Sequence, residues 1–260
     1  MQGTAGASGT TVADNPRLAG CALRAAQRLS MMHLTIRALT LDLDDTLWPI
    51  APAIERAEQA MHDWLIRHAP ATASRFDIAA LRARREALAR RQPELAHDFS
   101  AMRRESLRLA LLEAGDDEAL ADQAFEVFFA ARHELAFYPE VVDALQRLAS
   151  RYPLMALSNG NAEIARTALA PWFSGALSAR EFGVGKPDPR IFHEACRRLG
   201  CAPAEVLHVG DDLALDVLAA RDAGLQAFWL RRGECEPSDA DAHGVAAVSC
   251  LKTLADRLGC

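Results

Sequence analysis

The sequence predicts an α/β protein, a parallel sheet with helices on both faces, interrupted near its start by an all-helical insertion. Three observations lead there. Strand-like and helix-like segments alternate after Pro139, residues 51–137 carry only helical periodicity, and several strand-like segments end in polar or acidic clusters. Alternation of this kind implies parallel strands joined by helical crossovers.

The elements follow in chain order. Residues 1–31 are rich in Gly, Ala, Ser and Thr and read as a disordered extension. Within them Leu18–Leu29 is interrupted by Arg24, Gln27 and Arg28, so no secretory apolar region forms, and Met31-Met32 offers a second translation start. The first strand is Ala38–Leu41, ending at Asp42-Leu43-Asp44-Asp45-Thr46. From Ala51 to about Phe137, Ala, Leu, Arg and Glu recur three and four apart, the spacing of amphipathic helices. Pro52, Pro70, Pro93 and the Gly115-Asp116-Asp117 turn divide that section into about four helices. A helix to about Arg151, a strand to Leu157 and a helix over Ala162–Leu169 come next, followed by a strand near Gly175–Ser178. Then come a helix over Pro189–Leu199, a strand over Val206–Val209, a helix over Leu213–Ala223 and a strand over Gln226–Leu230. The expected organisation is a core domain of residues 32–50 and 138–260 with a helical cap domain of residues 51–137.

Composition narrows the function classes. A net charge of −6 and a pI near 5.8 argue against a nucleic-acid-binding surface, which needs clustered positive charge. No stretch approaches the ~20 apolar residues of a membrane span. Cys21, Cys196, Cys201, Cys235, Cys250 and Cys260 form no Cys-x-x-Cys pair, which fits reduced thiols in a cytoplasmic protein. A small anionic partner needs only local positive charge, and the expected state is a monomer or small homo-oligomer.

The chemistry-bearing residues sit where strands end. Asp42 and Asp44, two positions apart, suit a phosphoryl-transfer nucleophile beside its acid/base. Ser158-Asn159-Gly160-Asn161 follows an apolar strand and offers a hydroxyl and turn amides to phosphate oxygens. Lys186, the only lysine before Lys252, lies in Gly185-Lys186-Pro187-Asp188-Pro189. Glu205–Gly210 runs into Asp211-Asp212, with Asp216 beyond, completing an oxygen-ligand set for a hard cation. Structural alternatives stand beside these readings: Ser158 as a helix cap, Lys186 as a solvated loop residue, Asp45 as a turn residue and Asp216 as a surface or capping group.

This ordered set resembles the haloacid dehalogenase superfamily of hydrolases, whose four motifs correspond to Asp42-x-Asp44-x-Thr46, Ser158, Lys186 and Gly210-Asp211-Asp212 with Asp216. The resemblance implies a Rossmann-like core with a helical cap inserted after the first motif, and a small phosphorylated metabolite as partner. It further implies that Asp42 forms an aspartyl-phosphate, that Asp44 carries protons, and that Mg²⁺ is held by Asp42, the Asp44 carbonyl and Asp211. Thr46, Ser158, Asn159 and Lys186 are then expected around the phosphate or the turn that holds it, and Asp212 and Asp216 behind the metal or Lys186. Retention of Asp44 favours phosphoester hydrolysis over dehalogenation, in which no ester leaving group needs a proton. A sugar-phosphate phosphatase or phosphomutase shares these motifs, and a non-enzymatic phospho-aspartate receiver remains the rival outside catalysis. The motifs together with His97–Arg108 look similar to bacterial phosphatases acting on flavin mononucleotide (FMN) and on the phosphorylated ribitylaminouracil precursor of riboflavin. Trp48 is the expected substrate contact, with Arg103 or Arg104 as further candidates, whereas Trp64 and Phe99 read as core residues.

Overall fold

The computed structural model describes residues 36–95, 97–232 and 244–260. The expected extension over residues 1–31 lies outside them. Six strands, β1 (Ala38–Leu41), β2 (Leu154–Ser158), β3 (Gly175–Ser178), β4 (Val206–Gly210), β5 (Gln226–Leu230) and β6 (Ala246–Val248), form one sheet ordered β3-β2-β1-β4-β5-β6. Every pairing is parallel. Strands β1, β2 and β4 are buried along their whole length, as strands covered on both faces must be.

Between β1 and β2 the chain forms α1 (Ile50–His68), α2 (Pro70–Arg75), α3 (Ile78–Arg91), α4 (Phe99–Ala114), α5 (Leu120–Arg132) and α6 (Val141–Ala149). The remaining helices are α7 (Ala179–Phe182), α8 (Pro189–Leu199), a π-helical turn (Leu213–Leu218) running into α9 (Ala219–Asp222), and α10 (Leu251–Arg257). Ile191, Phe192 and Ala195 of α8 share a buried cluster with Met155, Leu157, Leu177 and Val206 of the sheet. The first five helices have a separate core around Met61, Leu65, Leu111, Phe125 and Phe128.

Three sequence expectations are corrected. The insertion has five helices, because Phe76 turns into that core and Asp77 caps a new helix by accepting from the Ala80 amide at 2.7 Å. The helix expected over Ala162–Leu169 is only a 3₁₀ turn at Ile164–Arg166. There the Thr167 hydroxyl donates to the Ile164 carbonyl (2.8 Å) and accepts from the Leu169 amide (3.1 Å), competing with helical bonding. Beyond Leu230, where no further element is expected, β6 and α10 extend the sheet and its covering. Cys196, Cys201, Cys250 and Cys260 are free thiols. No described helix is long and apolar enough to cross a membrane.

Strand order positions the site. The chain adds β2 and β3 on one side of β1 and then returns to place β4, β5 and β6 on the other. Crossovers therefore diverge at β1 and β4, opening a crevice beyond their carboxyl ends. Asp42 and Asp211 are the first residues after those two strands.

Candidate active site

The loop after β1 is pinned before it can carry chemistry. The Asp42 amide donates to the Val209 carbonyl at 2.9 Å, extending the β1–β4 ladder by one residue. Asp45 adopts φ 57°, a left-handed conformation that aspartate tolerates better than most residues, and its carboxylate accepts from the Ile50 amide at 2.9 Å. It is thus a turn residue that also starts α1. From beneath, Arg232 donates to the Thr46 carbonyl (2.5 and 3.1 Å) and pairs with Glu140 (2.5 Å).

Asp44 is held from two directions. The Trp48 indole Nε1 donates to its Oδ1 at 2.8 Å, and Arg132 Nη2, at the end of α5, spans Oδ1 and Oδ2 at 2.5 and 2.7 Å. Arg132 is fully buried, and its Nε donates to Asn161 at 3.3 Å. Gly160 lets the next turn approach: a Cβ there would lie 2.5 Å from Asp44 Oδ2.

Lys186 is buried between two carboxylates, its Nζ 2.5 Å from Asp42 Oδ1 and 2.5 Å from Asp216 Oδ1. Asn159 clamps its backbone, accepting from the Lys186 amide and donating to the Lys186 carbonyl, both at 2.7 Å. Behind Asp216 runs a buried chain: His208 Nε2 lies 3.1 Å from Asp216 Oδ1, and its Nδ1 lies 2.8 Å from Thr40 Oγ1. The second Asp216 oxygen accepts from the Asp212 amide at 3.0 Å. Only a glycine fits at position 210, where a Cβ would lie 2.2 Å from the Asp216 carboxyl.

One ammonium faces more negative charge than it can neutralise. Asp42, Asp211 and Asp216 bring oxygens within 4.8 Å of one another. Burial drives the Asp42 carboxyl well above the usual range despite the pull of Lys186. Burial also pushes Asp211 up to about 6, against the hydrogen bond it accepts from Thr46 Oγ1 at 2.8 Å. Burial opposes charge on Lys186 and Asp216 too, but there the ion pair wins: Lys186 sits above the lysine range and Asp216 below the carboxylate range. A cluster of oxygen ligands short of positive charge is what a hard divalent cation compensates.

These groups open on a cavity of about 480 Å³ lined by Asp42, Asp44, Ser158, Lys186 and Asp211 on one side and by Phe99, Met102, Arg103 and Phe128 on the other. Asp42, Asp44, Ser158, Asn159, Lys186, Asp211, Asp212 and Asp216 therefore share one cavity wall. Four expectations change in detail. Thr46 is buried and donates to Asp211, as a residue expected to hold the turn or bond within the site should, whereas the half-buried Asn159 spends its amide on the Lys186 backbone. The Asp212 carboxylate caps the following turn, accepting from the Ala214 and Leu215 amides at 2.8 Å. Trp48 is fully buried and outside the cavity lining, because its indole N–H is spent on Asp44. Phe99, expected in the core, is 50% exposed and lines the cavity, since as the first residue of α4 it lies off the face that Ser100, Met102 and Arg103 bury. Arg104 turns away to Asp122 and Glu126, and Trp64 packs on the insertion core. Sequence reasoning missed Arg132, Arg232 and His208; the available signals were an arginine closing the apolar run Phe128–Ala131 and a histidine inside a buried strand.

The chain is similar to known proteins along most of its length. Residues 36–224 match the sequence profile of the haloacid dehalogenase-like hydrolases. The chain is 36% identical to the 5-amino-6-(5-phospho-D-ribitylamino)uracil phosphatase YigB of Escherichia coli (strain K12), over 75% of this chain and 84% of that one. It is 34% identical to a phosphoserine phosphatase of Thermus thermophilus, over 84% of this chain and 98% of that one. A crystal structure called 2-haloacid dehalogenase from Pseudomonas syringae pv. Tomato DC3000 superposes with a TM-score of 0.78 and 39% identity, covering 86% of this chain and 98% of that one.

Proposed function

Because the chain belongs to the haloacid dehalogenase-like hydrolases, we propose that it is a phosphatase of that family, hydrolysing a small phosphomonoester through an aspartyl-phosphate on Asp42. The observation that carries this reading is the pair Asp42 and Asp44 on the wall of one cavity with Lys186 and Ser158. A dehalogenase attacking carbon has no use for Asp44. Here that residue is gripped by both Trp48 and Arg132.

Each residue then has a task. Asp42 attacks phosphorus, and the bond from phosphorus to the ester oxygen breaks. Asp44 delivers a proton to the departing alkoxide and releases an alcohol. The resulting Asp44 carboxylate takes a proton from water, which attacks the aspartyl-phosphate, frees inorganic phosphate and restores Asp42. Lys186 and Ser158 bind phosphoryl oxygens, where charge concentrates. Asp216, held by His208 and the Asp212 amide, keeps Lys186 charged and in place. Mg²⁺ fits the charge-deficient oxygen cluster and would be held by Asp42, Asp211 and the Asp44 carbonyl. Its chemistry is Lewis-acid charge that lets a carboxylate approach a phosphate dianion.

Likeness to YigB, together with an apolar cavity larger than a phosphate needs, supports the ribitylaminouracil phosphate or FMN as substrate. Likeness to the Pseudomonas structure supports a second reading, release of halide from a 2-haloacid. One panel separates them: Mg²⁺-loaded protein with FMN, sugar phosphates, nucleotides and 2-chloropropionate, and Asp42→Asn as control. Expected is phosphate release that chelation and Asp42→Asn both abolish. Halide release without phosphate release, or full phosphatase activity in Asp42→Asn, overturns the proposal.

A further inference from the structure

The cavity wall opposite the carboxylates contains charge that phosphate transfer does not use. Glu58 of α1 is 1% exposed and is shared by three guanidinium groups: Arg82 (2.5 Å), Arg85 (3.1 Å) and Arg103 (3.4 Å). Glu86 and Glu55 also act on Arg82, at the outer end of the cluster, but Glu58 is the one carboxylate bonded to Arg103. Arg103 is the least satisfied. It is 8% exposed, and the weak bond to Glu58 is its one hydrogen bond among the described residues. Its guanidinium lies 3.6 Å from the Phe128 ring centroid. Arg103 and Arg85 both line the cavity. Burial and the neighbouring Arg85 push Arg103 down to about 9, far below ordinary arginine, as expected of a buried cation short of acceptors.

We propose that this wall is a second subsite, in which Arg103 and Arg85 donate to the carbonyl oxygens of a planar heterocycle carried by the phosphoester, while Phe99 and Met102 pack on the ring. The inference rests on the phosphatase reading and specifies its substrate class: a phosphate joined by a spacer to a ring with a carbonyl edge. Two features favour a ring over a second anion. Around the arginines the lining is apolar, with Ile54, Phe99, Met102 and Phe128, and the remaining charged residue on this wall is Glu86, which repels an anion. A carbonyl accepts from guanidinium without bringing charge near Glu86. Phe99, half exposed, is the aromatic face such a ring would cover.

The test measures kcat/KM for FMN (ring), glycerol 3-phosphate (no ring) and phosphoserine (carboxylate, no ring), in wild type, Arg103→Lys, Arg103→Met and Phe99→Ala. The expected result is that the preference for FMN over glycerol 3-phosphate falls roughly 10- to 100-fold in Arg103→Met, through KM, because a neutral group no longer meets a buried acceptor. Arg103→Lys falls less, and Phe99→Ala about tenfold. Phe99 lies at the surface, so that variant tests the ring contact even where Arg103 variants fail to fold. A preference unchanged in Phe99→Ala and in the folded Arg103 variants overturns the inference while phosphatase turnover persists. So does an equal loss for phosphoserine, which would mean that the arginines read charge. Absence of turnover with all three esters in wild type overturns the phosphatase reading itself, and the inference with it.

Discussion

Removal of the Arg132 guanidinium should separate the acid/base role proposed for Asp44 from the nucleophilic role proposed for Asp42. Arg132→Met keeps most of the side-chain volume and deletes both bonds to Asp44, at 2.5 and 2.7 Å. Truncating one partner of a buried pair costs about 3–5 kcal/mol. The Asp44 side chain is 14% exposed and keeps the Trp48 indole, so the low end, about 3 kcal/mol, is expected in a denaturant titration. The catalytic effect should depend on the leaving group. Misplacing a proton donor by about 1 Å costs on the order of 100-fold, but only where the departing oxygen needs a proton. Alkyl phosphates should therefore lose about 100-fold in kcat, and p-nitrophenyl phosphate, whose phenolate leaves unaided, less than about tenfold. Asp44→Asn should show the same asymmetry more strongly. Equal losses for both esters in Arg132→Met would refute the assignment and reduce Arg132 to a strut between α5 and the loop after β1. Arg132→Lys should recover part of the stability but little of the rate, since lysine lacks the Nε–H that ties Arg132 to Asn161 and fixes its Nη2 against Asp44.

Two further outcomes test the framework around the site. Gly210→Ala would place a methyl group 2.2 Å from the Asp216 carboxyl, displacing the partner of Lys186. Unfolding measurements should show a loss of about 1–3 kcal/mol, with kcat falling far more than in an alanine substitution at the open Gly115. Glu58→Gln removes the carboxylate shared by three arginines. Burial alone would raise Glu58, but Arg82, Arg103 and Arg85 outweigh it and hold it below the usual glutamate range. A lowered acid contributes stability above its unfolded value, about 4.3, and that contribution fades as pH falls through the folded value. Glu58→Gln should therefore be about 3 kcal/mol less stable than wild type at pH 7, with the gap closing below about pH 4; a gap independent of pH would contradict the ion-pair account.

What the sequence discloses, and what it hides, follows from how each residue is positioned. Asp42, Ser158 and Asp211 are legible because each ends an apolar strand, and a parallel sheet delivers all such ends to one edge whatever the rest of the chain does. Lys186 stands out for a compositional reason, in a chain whose other basic residues are nearly all arginine. That abundance is what hides Arg132: it is one arginine among many in the helical insertion, and only tertiary packing selects it to meet Asp44, 88 residues away. Trp48 and Phe99 fail in opposite directions for related reasons. Proximity to the catalytic turn suggests that Trp48 meets substrate, yet a buried indole N–H must be satisfied, and Asp44 is the acceptor within reach. Helical periodicity suggests that Phe99 is core, yet the buried face of the first turn of α4 is formed by Ser100, Met102 and Arg103, and Phe99 lies off it. Local pattern thus determines which groups reach the sheet edge, whereas charge balance decides how they act there. In the core, Asp42, Asp211 and Asp216 exceed their one ammonium, so that end of the cavity lacks positive charge; in the insertion the buried Arg103 makes one weak hydrogen bond among the described residues, so the other end lacks acceptors. The proposed substrate, a phosphoester whose far end carries carbonyl oxygens, would with a divalent cation make up both shortages at once, so the proposed reaction and the proposed substrate class stand on one charge balance.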